Sequence, residues 1–78
     1  MFNMIEVELN LMLADIFGCK HMEMDIGKSI SLGELAAALG FAYDDVGMLL
    51  INKQWAPLEG SVIRDGDRVQ LYPFMEGG

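Results

Sequence analysis

The chain has 78 residues, 53% of them hydrophobic, and a formal net charge of −7. That length allows one domain at most, and the single cysteine, Cys19, excludes an internal disulfide framework and a cysteine metal cluster. With five Lys and Arg against twelve Asp and Glu, a phosphate backbone would be repelled, so nucleic acid is not an expected partner. The same charge either steers the protein to a basic partner or simply keeps a Met-rich domain soluble.

The N-terminal "MFNMIEVEL" lacks the basic stretch and long apolar core of a signal peptide. No apolar run approaches the roughly 20 residues of a membrane span. A cytoplasmic protein without a membrane partner is therefore expected, and a lone thiol suits a reducing compartment.

From Ile5 the residues alternate. Ile5, Val7, Leu9, Leu11 and Leu13 fall on one side, with Glu6, Glu8 and Asn10 on the other, which predicts a half-buried strand. Gly18 marks a turn. "HMEMDI" alternates again, with Met22, Met24 and Ile26 inward and His21, Glu23 and Asp25 outward. The two strands read as a hairpin, ended by Gly27. The period then changes: Leu32, Leu35, Ala36 and Leu39 lie on one helical face. Ser31 is the expected N-cap, Glu34 completes a capping box, and Ile30 with Leu35 occupies the staple positions. Gly33 weakens the helix slightly, and Gly40 ends it.

After "FAYDDVG", the run "MLLIN" predicts a strand in the middle of a sheet. Asn52 and Lys53 turn the chain into a short strand around 54–58. "RDGDR" is a turn in which Gly66 can take positive φ. "RVQLYPF" is the last strand, with Val69 and Leu71 on one face and Arg68, Gln70 and Tyr72 on the other. Pro73 cannot donate to a ladder, so it marks an edge or the end of pairing. The order predicts an α+β fold, a β-grasp with a mixed four- to five-stranded sheet and one main helix across it. Its first and last strands would pair in parallel at the centre. The expected division is a β-grasp domain over 1–73 and a flexible tail over 74–78.

Conventional catalysis finds little support. His21 falls on an outer strand face, with no partner identifiable for a catalytic base. Cys19 adjoins Lys20, which can lower a thiol pKa, but it reads as incidental. Asp44 and Asp45 read as loop solvation, and Asp65 and Asp67 as acceptors for their own turn. Neither acidic pair matches a calcium loop, and no phosphate-binding glycine motif is present. No metal or cofactor is expected. Met48 and Leu50, if Leu49 and Ile51 face the helix, share the outer sheet face with Tyr72 and form an adaptable apolar partner surface. A one-residue slip would instead place them in the core.

Two terminal glycines arise by chance in roughly 0.5% of chains. Five residues follow Pro73 and reach about 17 Å when extended. Without Cβ atoms, Gly77 and Gly78 can thread a narrow channel. Such a tail delivers a carboxylate, which needs activation by another protein, most simply as an acyl-adenylate.

"LLINKQWAPLEGSVIRDGDRVQLYPFMEGG" resembles the C-terminal half of the ThiS/MoaD sulfur carriers, which share the ubiquitin-like β-grasp. Three pieces carry the likeness: the apolar strand ending in Asn52, "DGDRV" at 65–69, and Gly77–Gly78. "LYPF" is similar to the corresponding region of the molybdopterin synthase small subunit, although Phe74 stands where a second proline is common. The resemblance implies a protein cosubstrate rather than an enzyme. A partner similar to ubiquitin-activating enzymes would adenylate Gly78, a sulfur donor would convert it to a thiocarboxylate, and Gly77 would be the threading residue. The large catalytic subunit of molybdopterin synthase would accept the sulfur. Met48, Leu50, Tyr72, Phe74 and Met75 are the expected partner-binding residues. Glu76 puts an unexplained negative charge beside the reacting group. The alternatives are a carrier for thiamine or another pathway, and a noncatalytic β-grasp interaction module.

Overall fold

The computed structural model describes residues 4–74. The elements in chain order are β1 (Met4–Leu9), α1 (Met12–Phe17), β2 (His21–Asp25), β3 (Ile30–Ser31), α2 (Leu32–Leu39), a 3-10 turn (Tyr43–Asp45), β4 (Val46–Ile51), β5 (Gln54–Ala56), β6 (Val62–Ile63) and β7 (Arg68–Pro73). Among the described residues, β2-β1-β7-β4-β5 form a five-stranded sheet, and β3 and β6 form a separate pair. Among the described residues, only β1 and β7 pair in parallel in the larger sheet, in the register Glu6↔Arg68 to Leu9↔Leu71. This is the mixed sheet and cross-lying helix of the ubiquitin-like β-grasp.

One sheet face and α2 enclose the core. Ile5, Val7 and Leu9 from β1 and Val69 and Leu71 from β7 are fully buried. They meet Leu32, Leu35, Ala36 and Leu39 of α2, with Leu49 and Ile63 completing the cluster. The period-two strands and the helical stripe thus bury the residues that their spacing assigns inward. Met22 and Met24 pack at the border of this cluster.

The first strand is shorter than its alternation suggests. It stops at Leu9, and Leu13 enters the core from α1 instead. Leu9 and Leu13 are four apart, a spacing that keeps two residues on the same side in either a strand or a helix. Leu11 separates the alternatives: a strand would bury it, whereas here it is 59% exposed. The β1–β2 connection therefore contains a helix and is not a tight hairpin. Gly18 ends α1 at φ 89, its N–H donating to the Ala14 carbonyl. Edge-to-face contact between Phe17 and Phe41 ties α1 to the chain beyond α2.

Local signals in α2 form as expected. Ser31 Oγ accepts from Glu34 N at 3.1 Å, and Ser31 N donates to Glu34 Oε1 at 3.0 Å. Gly40 stops the helix at φ 88. Asn52 and Lys53 both have positive φ, as a two-residue loop with type I′ twist requires. Asp67 accepts from Arg64 N within its turn, whereas Asp65 accepts from Met4 N and so fastens the start of β1. Asp45 caps its own 3-10 turn by accepting from Ala42 N.

Ser31→Ala removes the side-chain cap and is expected to cost about 1 kcal/mol. Thermal unfolding should register it as a fall in Tm of about 5 °C; an unchanged Tm would show that the cap is dispensable. Glu34 carries a pH signature. The bonds from Ser31 hold its carboxyl below the ordinary glutamate value of 4.5. A depressed folded pKa contributes stability that is complete above the unfolded value and lost as pH falls through the folded value. The fall in Tm on acidification below about pH 5 should therefore be shallower in Glu34→Gln, as acid-dependent Tm measurements would show.

Candidate functional site: the end of the last strand and the outer sheet face

β7 occupies the middle of the sheet, and its end is held from two sides. Asn10 donates to the Leu71 carbonyl through both its backbone N (3.1 Å) and Nδ2 (3.2 Å). On the other side, Val46 is opposite Pro73, and Phe74 N donates to the Asp45 carbonyl at 3.0 Å. The last pair is thus Val46↔Pro73, where the sequence places the end of pairing, and a proline is accommodated there. The reason is directional. Backbone N–H groups alternate sides along a strand, and that of Phe74 points to β4. The nitrogen of Pro73 thus faces β1, whose pairing with β7 ends at Leu9↔Leu71. A residue without an N–H is tolerated there.

Gly47 permits this close passage. A Cβ at Gly47 would lie 2.6 Å from Phe74 Cα and 2.8 Å from the Pro73 carbonyl oxygen. The β4–β7 register shifts between Val46 and Met48, the irregularity expected around an in-strand glycine. The shift also changes which side chains face out. Val46 is buried, and two residues later Met48 is on the opposite face with Tyr72.

The outer face is divided by chemistry. Towards β4 and β5, Met48 is opposite Tyr72, and Leu50 is opposite both Gln70 and Trp55. Met48, Leu50 and Tyr72 are half-buried, which supports the outward reading without making them freely exposed. Trp55 is 79% exposed and Phe74 is 63% exposed. Towards β1 and β2 the same face is charged: Arg68 Nε meets Glu6 Oε2 at 2.9 Å, and Gln70 Nε2 donates to Glu8 Oε2 at 3.0 Å. The Gln70 bond is the largest influence lowering the Glu8 pKa; burial opposes it, and Asn10, His21 and Lys20 lend smaller support. His21 Nδ1 is 4.0 Å from Glu8 Oε1 with its side chain exposed, so the contact is a weak surface pair. Exposed Cys19 Sγ lies 2.8 Å from the His21 carbonyl oxygen. Among the described residues, no group of three or more His, Cys, Asp and Glu is arranged to hold a metal. Among them also, no helix is long and apolar enough to cross a membrane.

The structure thus brings Met48, Leu50 and Tyr72 together and places Phe74 at the exit of the strand. Met75, Gly77 and Gly78, with Glu76, lie outside the described residues. Trp55 is the partner-surface candidate that reading the sequence missed. The Asn52–Lys53 turn could have found it, because a two-residue loop sets the register and places Trp55 opposite Leu50.

The fold and this exit define a small ubiquitin-like β-grasp protein of the carrier or modifier type. The chain belongs to the ThiS family, whose family model matches residues 7–78. Proteins of this family generally partner with adenylating enzymes and sulfur acceptors and are generally noncatalytic. A crystal structure of small archaeal modifier protein 1 from Haloferax volcanii is 25% identical, with a TM-score of 0.68, covering 90% of this chain and 95% of that one. A second crystal structure of that protein is 26% identical with a TM-score of 0.68, covering 96% and 99%. A Pyrococcus furiosus structure named for subunit 1 of molybdopterin converting factor shares the fold at 15% identity and a TM-score of 0.69, covering 90% and 95%. No curated protein sequence matches the chain.

Gly47→Ala forces the Cβ against the backbone of Pro73 and Phe74, and overpacking of this kind is expected to cost about 1–3 kcal/mol. Denaturant unfolding should show the loss, and amide exchange should show weaker protection at Phe74. Unchanged protection would mean that the strand end does not depend on this close approach.

Proposed function

We propose that this protein is a sulfur carrier whose Gly78 carboxylate is the reacting group. ATP converts that carboxylate to an acyl-adenylate with release of pyrophosphate, on a partner similar to ubiquitin-activating enzymes. A sulfur nucleophile then displaces AMP, leaving a thiocarboxylate. The β-grasp body over 1–73 supplies the partner surface, and 74–78 acts as the delivery tail with Gly77 as its threading residue. The observation that carries this reading is the ThiS family match extending through Gly78. The central β7 strand supports it, because its end projects Phe74 beside an apolar face rather than into the core.

The carrier delivers its sulfur to the large catalytic subunit of molybdopterin synthase, where a pterin precursor gains its dithiolene. The "LYPF" segment and the molybdopterin-converting-factor name of one structural neighbour favour that route. Met48, Leu50, Tyr72, Phe74 and Met75, joined by Trp55, form the partner-binding set, and the protein works in the cytoplasm. A second reading has its own support: the neighbours at 25% and 26% identity are modifier proteins. In that role the activated Gly78 carbonyl would be attacked by an amine, with loss of AMP, to give an amide.

Incubation with an ATP-dependent activating enzyme of this family and a sulfide donor tests the proposal by intact mass. The expected gain equals the exchange of one oxygen for one sulfur, confined to Gly78 by fragmentation. Adenylation without sulfur uptake, combined with amide-linked products on lysines, would favour the modifier reading. The absence of both, with an enzyme active on its own carrier, would sink the proposal.

A further inference from the structure

One residue of the fold stands out because the fold itself does not need its side chain. Leu11 has φ 55 and ψ −131, a backbone conformation that favours glycine. Its carbonyl accepts from Ala14 N at 3.1 Å, a role any residue can fill, and its side chain makes no capping bond. That side chain is apolar and 59% exposed. Met12 and Ile16, one helical turn apart on α1, are 55% and 57% exposed. Together they present an exposed apolar surface.

The location of this surface gives it an occupant. Leu11 follows the last β1–β7 pair, Leu9↔Leu71, by two residues, and Phe74 follows it by three. Both leave the same end of the sheet from adjacent strands, which lie about 4.8 Å apart where they pair, and α1 packs against β7. Gly78 is four residues beyond Phe74, about 14 Å at full extension. An enzyme that acts on the Gly78 carboxylate must bring its surface within that reach, whatever path the chain follows. A standard interface covers about 800 Å² on each partner, enough to include Leu11 beside the strand end.

We propose that Leu11, with Met12 and Ile16, forms a second apolar contact for the ATP-dependent activating enzyme, beside the end of β7. The proposal rests on the carrier reading, because it uses the reach from Phe74 to the reacting carboxylate. It goes beyond that reading by assigning α1 to the interface and by giving a reason for a non-glycine residue at position 11. The complementary surface on the enzyme is apolar.

Carrier-dependent ATP–pyrophosphate exchange tests it with wild type, Leu11→Gly and Leu11→Gly/Ile16→Gln. The expected result is a KM for the carrier raised about tenfold in the double variant, equivalent to about 1.4 kcal/mol, with kcat unchanged. Leu11→Gly should have the same Tm as wild type or a higher one, because glycine relieves the backbone. An unchanged KM in both variants, with wild type adenylated, overturns this inference and leaves the carrier reading intact. A marked fall in the Tm of Leu11→Gly also overturns it, since the side chain would then be holding the fold. Wild type that is not adenylated by an enzyme active on its own carrier overturns the carrier reading and this inference with it.

Discussion

The parallel pairing of the first and last strands is the constraint on which the rest of this molecule depends. Val7, Leu9, Val69 and Leu71 are fully buried along that seam. A parallel pair cannot be closed by a tight hairpin, so everything between β1 and β7 must form a long crossover. That crossover supplies α2, which covers one face, and β4 with β5, which extend the sheet beyond β7. The edges fall to β2 and the three-residue β5. The chain end is therefore launched from the middle of the sheet, with side chains from both neighbouring strands beside it.

That placement explains features that look unrelated along the sequence. Pro73 is compatible with a central strand because its nitrogen faces the side where β1 has already stopped pairing. Gly47 is demanded by the backbone of Pro73 and Phe74, 26 and 27 positions later. Asn10 serves as a clamp on Leu71. Near the exit the outer face carries Met48 and Tyr72, with Leu50 and Trp55 farther along it, while the β1–β2 part of that face is charged. The fold holds Phe74 at a defined point through its bond to the Asp45 carbonyl, with half-buried Met48 and Tyr72 on the neighbouring part of the outer face.

Some of this was plain in the residues and some was not, for identifiable reasons. The helix α2 was legible because its signals are local: Ser31, Glu34, the 32–35–36–39 stripe and Gly40 lie within ten residues and act on one another. The Asn52–Lys53 and Gly66 turns were legible for the same reason, since positive φ is a property of single residues. The helix α1 was not, because Leu9 and Leu13 satisfy two periods equally well. Trp55 lay one step of register counting away from the residues already assigned outward. The β3–β6 pair joins Ile30–Ser31 to 62–63, short segments with no pattern of their own.

The sequence by itself determined the fold class and the core stripe of each long element. These follow from hydrophobic period and capping residues, both of which act over a few neighbouring residues. Only the tertiary structure decided that Leu11 points to solvent in a glycine-favouring conformation, that Gly47 makes room for Phe74, and that the outer face is apolar on one side and charged on the other. Those facts arise from contacts between segments far apart in the chain. Close approach and shared faces are properties of register, and register is set by the packing of the whole sheet.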